Sequence, residues 1–125
     1  MKLSTYAILL AIVGFFYGIA LLFMPASFLS NYGITANDST VVMSRFFGSA
    51  MLGNAILFWL HRNVPAADKS WSALLGASVI FSVANFVIGL MAVTGGEVNS
   101  MGWSTVVLSG LFAIASGYYA SKKAV

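Results

Sequence analysis

Residues 41–62 read VVMSRFFGSAMLGNAILFWLHR. The stretch is almost wholly apolar, yet it carries Arg45 near its start and Asn54 in its middle. An α-helix rises about 1.5 Å per residue, so roughly 20 residues cross the ~30 Å hydrocarbon core of a bilayer. The stretch lacks the strict polar–apolar alternation of a barrel strand, so the spacing predicts a membrane-crossing helix over 41–61.

Three further runs have the same character, at about 5–24, 71–93 and 102–120. Breakers and polar residues bound them: Pro25, the Asn37-Asp38-Ser39 cluster, Pro65 with Asp68 and Lys69, Gly95-Gly96, and Lys122-Lys123. The first run, with Lys2 before it, has the layout of a signal peptide. It exceeds the 7–15 residues of an ordinary h-region, taken as roughly typical, and Met24 stands where a cleavage site after Ala26 needs a small residue. A retained helix is expected.

Composition agrees. The 125 residues are 60% hydrophobic and 7% charged, with a mean hydropathy of +0.94. A soluble domain carries about 25% charged residues, and a chain this short cannot hide so much apolar surface from water. Lipid is therefore the expected solvent, and membrane lipids the expected surroundings. Cysteine is absent, which removes disulfides, thiolate nucleophiles and thiolate metal sites. The six Lys and Arg lie mostly at chain ends and in loops, so no basic patch supports a nucleic-acid partner.

The charges also orient the chain. Lys2 and the amino terminus, then His61, Arg62 and Lys69, then Lys122 and Lys123, fall on one side of an up-down-up-down path. The loops on the other side contain Asp38 and Glu97 and no Lys or Arg. The positive-inside rule makes both termini cytoplasmic. The expected fold is thus all-α: a polytopic membrane protein, a single domain over 1–125, with four transmembrane helices in one bundle.

At 100° per residue each run resolves into faces. Tyr6, Leu10, Gly14, Tyr17, Gly18, Leu21 and Pro25 share one face of the first run. Trp71, Ser78, Ser82, Asn85, Gly89, Ala92 and Gly96 share one of the third. Gly102, Thr105, Ser109, Ala113, Ser116 and Ala120 share one of the fourth. Small residues so spaced let helix backbones approach closely, which drives packing where lipid removes the hydrophobic effect. In the second run Arg45, Gly48, Ser49 and Gly53 lie within about 140° of arc, whereas Asn54 lies about 180° from Arg45 beside Met43, Ala50 and His61. That helix is expected to be contacted on two sides, within the bundle or by another subunit, so a homo-oligomer or a partner membrane subunit is expected.

The candidate polar, ligand or interface residues are Arg45, Ser49, Asn54, Ser82 and Asn85. Arg45 sits roughly 6 Å inside the outer end of its run. Its guanidinium is in snorkelling range of the surface, with Asp38 or Glu97 as ion-pair partner or an anionic headgroup or solute as ligand. Asn54 and Asn85 are candidates for hydrogen bonds between helices, or for a polar track. Trp59, Trp71 and Trp103, with Tyr118 and Tyr119, fit an interfacial aromatic belt. The Asn37-Asp38-Ser39 sequon sits in an outer loop, and PASFLSNYGI before it is expected to lie along the outer interface.

What is missing narrows the function. All three acids, Asp38, Asp68 and Glu97, are expected in loops, whereas a proton-coupled exporter needs an ionisable carboxylate within the membrane. The Gly- and Thr-rich motifs of the four-span fluoride channels are not found. No nucleophile–His–acid set, phosphate loop or metal-ligand cluster is legible, so no catalytic residue, cofactor or metal is assigned. The expectation is a non-enzymatic protein acting through helix association, as a scaffold or accessory subunit or a self-associating oligomer. The alternatives are a channel or carrier for a small anion or lipophilic solute, or a lipid-binding protein, each with Arg45 at the outer entrance.

Four segments carry a family resemblance: LLFMP closing the first run, the NYGI turn, SRFFGSAMLGNAILFWL opening the second run, and NSMGWSTVVLSGLFA opening the fourth. In these and in layout the chain resembles small bacterial four-helix membrane proteins of the DoxX-like type. The resemblance implies a bacterial inner-membrane protein and carries no catalytic residue with it.

Overall fold

A computed structural model describes residues 2–124, of which the side chains of Lys123 and Ala124 are not described. The charges assigned above to the amino terminus at Met1 and to the Lys123 side chain lie outside the described residues. Five helices occur among them: α1 (Leu3–Phe23), α2 (Pro25–Asn31), α3 (Asp38–His61), α4 (Ser70–Thr94) and α5 (Gly102–Ala124). The four long helices match the four apolar runs, each extended by a turn or less at most ends. The fold is all-helical, and α1, α3 and α4 are each long and apolar enough to cross a membrane.

The chain divides into two compact units, Met1–Pro65 and Ala66–Val125. The first holds α1, α2 and α3; the second holds α4 and α5.

In the first unit α1 and α3 run antiparallel along a seam of small residues. A Cβ added at Gly14 would lie 2.8 Å from the Cβ of Ala55, and one at Gly18 would lie 3.0 Å from the Gly48 carbonyl oxygen. One at Gly48 would lie 2.9 Å from the Gly18 carbonyl oxygen and 3.0 Å from the Leu22 nitrogen. Backbone thus meets backbone, at distances where no side chain fits and where dispersion and Cα–H···O contacts act at close range. Tyr6, Ala7, Ala11 and Leu21 on α1, and Ala55 and Phe58 on α3, are buried with these glycines.

Local chemistry sets the helix ends. Asn37 Oδ1 accepts from the Thr40 backbone N–H at 2.9 Å, and Thr40 Oγ1 accepts from the Asn37 N–H at 2.8 Å, a reciprocal capping box at the start of α3. The sequon asparagine therefore serves as a helix cap. The segment expected to lie along the interface contains a helix the apolar pattern did not reveal. Pro25 occupies the first turn of α2, where its missing N–H costs nothing, and Pro25, Leu29 and Tyr32 are buried. Gly33 closes α2 at φ +76° while the Ile34 N–H donates to the Leu29 carbonyl at 3.0 Å. Gly96 closes α4 in the same manner, at φ +75° with the Glu97 N–H donating to the Ala92 carbonyl at 2.9 Å.

In the second unit α4 and α5 form an antiparallel pair. The Cβ positions of Gly89 and Gly110 fall 3.3 Å from Val106 Cγ2 and from the Phe86 ring, and Ser78, Ser82, Val106 and Ser116 are buried. The small-residue stripes therefore serve as seams inside two helix pairs. One tryptophan departs from the expected belt: Trp71 is 1% exposed, whereas Trp59 and Trp103 are 39% and 46% exposed. Trp71 opens α4 on the stripe that carries Leu75, Ser78 and Ser82, so it is a packing residue.

Candidate functional site

The polar residues singled out by sequence fall into two separate settings. In the second unit they belong to the α4–α5 seam. The hydroxyls of Ser78 and Ser116 lie 3.0 Å apart, and either donates. Ser116 is wholly buried and Ser78 nearly so. Ser82 lies one turn further along α4, also buried. Asn85, expected to bond across helices, donates its Nδ2 to the Phe81 carbonyl of its own helix at 2.8 Å. A half-buried amide one turn past a carbonyl with a spare lone pair reaches it at little cost. Ser109 makes the equivalent bond to Thr105 at 2.7 Å. The seam is thus polar but internally satisfied, and no buried side-chain nitrogen or oxygen among the described residues lacks a partner.

The Ser78–Ser116 pair was not legible in sequence as a pair. Both residues stood in small-residue stripes, but nothing in either stripe set the register between helices. Its contribution is testable by a double-mutant cycle with Ser78→Ala and Ser116→Ala. SDS-titration unfolding in mixed micelles is expected to give a coupling of about 0.6 kcal/mol, the average for hydrogen bonds between membrane helices. A coupling of zero would show that the two hydroxyls only fill space.

In the first unit the polar residues flank the seam. Taking the buried positions Gly48, Ala55 and Phe58 as the centre of the α1-facing side, Arg45 lies roughly 90° to one side and Asn54 roughly 90° to the other. Arg45 and Ser49 are exposed, and Gly53 has no atom within 4 Å of its Cβ position. Ser49 Oγ donates to the Phe46 carbonyl of its own helix at 2.9 Å. Asn54 is half-buried, and its amide makes no hydrogen bond among the described residues. Arg45 and Asn54 therefore belong to opposite flanks of one helix.

Arg45 differs from Arg62 and Lys122. The Arg62 guanidinium sits 3.9 Å from the centre of the Trp59 ring and donates to the Trp59 carbonyl. The Lys122 ammonium sits 4.6 Å from the centre of the Tyr118 ring. Both are seated on aromatic rings at the helix ends that the charge pattern assigns to one side. Arg45 has no ring contact or hydrogen bond among the described residues. It forms no ion pair with Asp38, seven residues earlier on the same helix; that separation corresponds to about 10 Å along the axis. Asp38 instead stands in the first turn of α3, where a carboxylate complements the helix dipole. Glu97, the other expected partner, belongs to the second unit.

Near the end of α2, Tyr17 and Phe28 meet edge to face with centroids 5.7 Å apart, and Phe28 and Tyr32 lie 5.2 Å apart. The contact pins α2 against α1. No group of three or more His, Asp or Glu side chains among the described residues is placed to hold a metal ion.

No known family, curated protein or solved structure matches the chain.

Proposed function

We propose that this chain is a multi-pass protein of the bacterial inner membrane with four spans and both termini cytoplasmic. It acts without chemistry of its own, through helix association, as a self-associating oligomer or an accessory subunit. The observation that carries the reading is the Asn54 flank of α3. Lipid offers an amide no hydrogen-bond partner, and a polar group left unpaired there is costly. A second helix laid along this flank supplies the partner, with Ala50 one turn earlier leaving room for close approach. The fourth span is α5, whose 23 residues extend about 34 Å at the helical rise, more than the hydrocarbon thickness. The serines, tyrosines and terminal lysines of α5 make it less apolar than the other three. The inner-membrane placement is carried over from the sequence expectation of a DoxX-like layout.

The absence of cysteine makes single-cysteine variants clean probes. In native membranes, oxidised Ala50→Cys is expected to give a disulfide-linked dimer or a heavier adduct, while Val42→Cys on the Arg45 flank stays monomeric. In the same set, Ser121→Cys is expected to react with an impermeant maleimide only after the cells are opened. A strict monomer for Ala50→Cys in membranes and in mild detergent would sink the association reading, and labelling of Ser121→Cys in intact cells would overturn the topology.

A further inference from the structure

We propose that the Arg45 flank of α3 binds an anionic phospholipid, its headgroup phosphate on the Arg45 guanidinium and an acyl chain along the shallow trough over Ser49 and Gly53. The proposal rests on α3 crossing the bilayer, as proposed above, and not on the chain's association.

Three observations converge. First, the guanidinium is exposed and holds no partner among the described residues. An arginine in a membrane helix is stable when it reaches water, a carbonyl or an anion, and its planar fork of donors matches two phosphate oxygens. Second, the helix length places it at the right depth. The 24 residues of α3 extend about 36 Å, so a centred hydrocarbon core begins a few residues inside Asp38 and puts the Arg45 backbone roughly 8 Å deep. Helical side chains lean toward the amino-terminal end, which here is the near surface, so the guanidinium rises to the level of headgroup phosphates.

Third, the surface below Arg45 has the shape of a chain. Ser49 and Gly53 follow at four-residue steps, about 6 and 12 Å further into the bilayer. Ser49 turns its hydroxyl back to its own helix, so the trough presents little polarity. Gly53 leaves its floor open, with nothing within 4 Å of its Cβ position. By helix geometry Phe46, 67% exposed, stands beside its Arg45 end and Ile56, 41% exposed, beside its Gly53 end. Charge and shape therefore run in the same direction as a lipid: an anion at the surface and a tail toward the midplane. Asp38, the one acid of the first unit's sequence, stands two turns above Arg45 and opposes the headgroup charge, so Asp38→Asn is expected to strengthen binding.

The test is native mass spectrometry of the full chain, delipidated in a mild detergent. It is titrated with phosphatidylglycerol and with phosphatidylcholine of identical acyl chains. The expected result is preferential retention of phosphatidylglycerol by the wild type, weakened about fivefold in Arg45→Ala, the loss expected for one basic side chain at a lipid surface. Arg45→Gln keeps the length and polarity of the side chain and decides the matter if Arg45→Ala does not fold. Gly53→Leu fills the trough and is expected to lower retention with Arg45 intact. Equal retention of the two lipids, or unchanged retention in Arg45→Gln or Gly53→Leu, would overturn the proposal. Displacement of the lipid by excess inorganic phosphate would do the same and assign the arginine to a free anion. The protein's own oligomer mass, read in the same spectra, reports separately on association.

Discussion

Replacing Gly48 with leucine is expected to separate α1 from α3 and unfold the first unit. The Cβ of any residue at this position falls 2.9 Å from the Gly18 carbonyl oxygen and 2.9 Å from the Leu21 Cβ. These neighbours are a backbone atom and the first atom of a side chain, so no rotamer change relieves the clash. Overpacking of this kind costs about 3 kcal/mol in a core whose neighbours can yield. Here the helices themselves must move apart, which also forfeits the dispersion contacts around Gly14, Gly18 and Ala55. Gly53→Ala on the same helix is the control. With no atom within 4 Å, it is expected to stabilise by about 0.5–1 kcal/mol through helix propensity alone. SDS-titration unfolding of both variants checks the prediction, and a Gly48→Leu midpoint like that of the wild type would show that the seam does not hold the pair.

Trp71→Ala is expected to be the most disruptive of the three tryptophan substitutions. Trp71 is 1% exposed, and truncating a buried tryptophan leaves a large cavity, which in water-soluble cores costs about 3–5 kcal/mol together with the transfer term. In lipid the transfer part shrinks while the packing part remains, so about 2 kcal/mol is expected. Trp103→Ala, at a position 46% exposed, is expected to change stability by less than about 1 kcal/mol. Equal effects at the two sites would return Trp71 to the aromatic belt. Unfolding midpoints of the two variants, followed by the fluorescence of the remaining tryptophans, give the comparison.

The Trp71 case shows where sequence reading ran out. All three tryptophans lie near the ends of apolar runs, and end position is the property that defines a belt residue. What separates Trp71 is that its angle on α4 falls in line with Leu75, Ser78 and Ser82. In a soluble helix a contrast between polar and apolar faces would have marked that line as buried. A helix in lipid is apolar all round, and only its small residues hint at the seam. A different reason hid α2. Its seven residues are too short for a periodic signal, and Pro25 and Gly33, which delimit it, read equally well as loop punctuation.

The polar residues divide on similar grounds. Helical periodicity by itself put Arg45 and Asn54 on opposite sides of α3, because that angle depends only on residue number. It could not say that α1 occupies the arc between them, nor that Asn85 would satisfy its amide on its own helix. The first depends on which pair of small-residue stripes fits at backbone contact, and the second on a local bond that competes with any partner across the seam.

Composition and apolar run length determined the helical class and the placement of the four long helices, and made lipid the expected solvent, through the length of a hydrocarbon crossing and the need to pair every backbone group within it. Charge placement determined the expected orientation, through the cost of moving Lys and Arg across the membrane. The tertiary structure alone decided that Gly14 and Gly18 close on Gly48 and Ala55, that Ser78 bonds Ser116, and that Arg45 is left without a partner among the described residues. Register between two helices is set by the fit of their surfaces, and one helix's sequence carries the shape of only one of them.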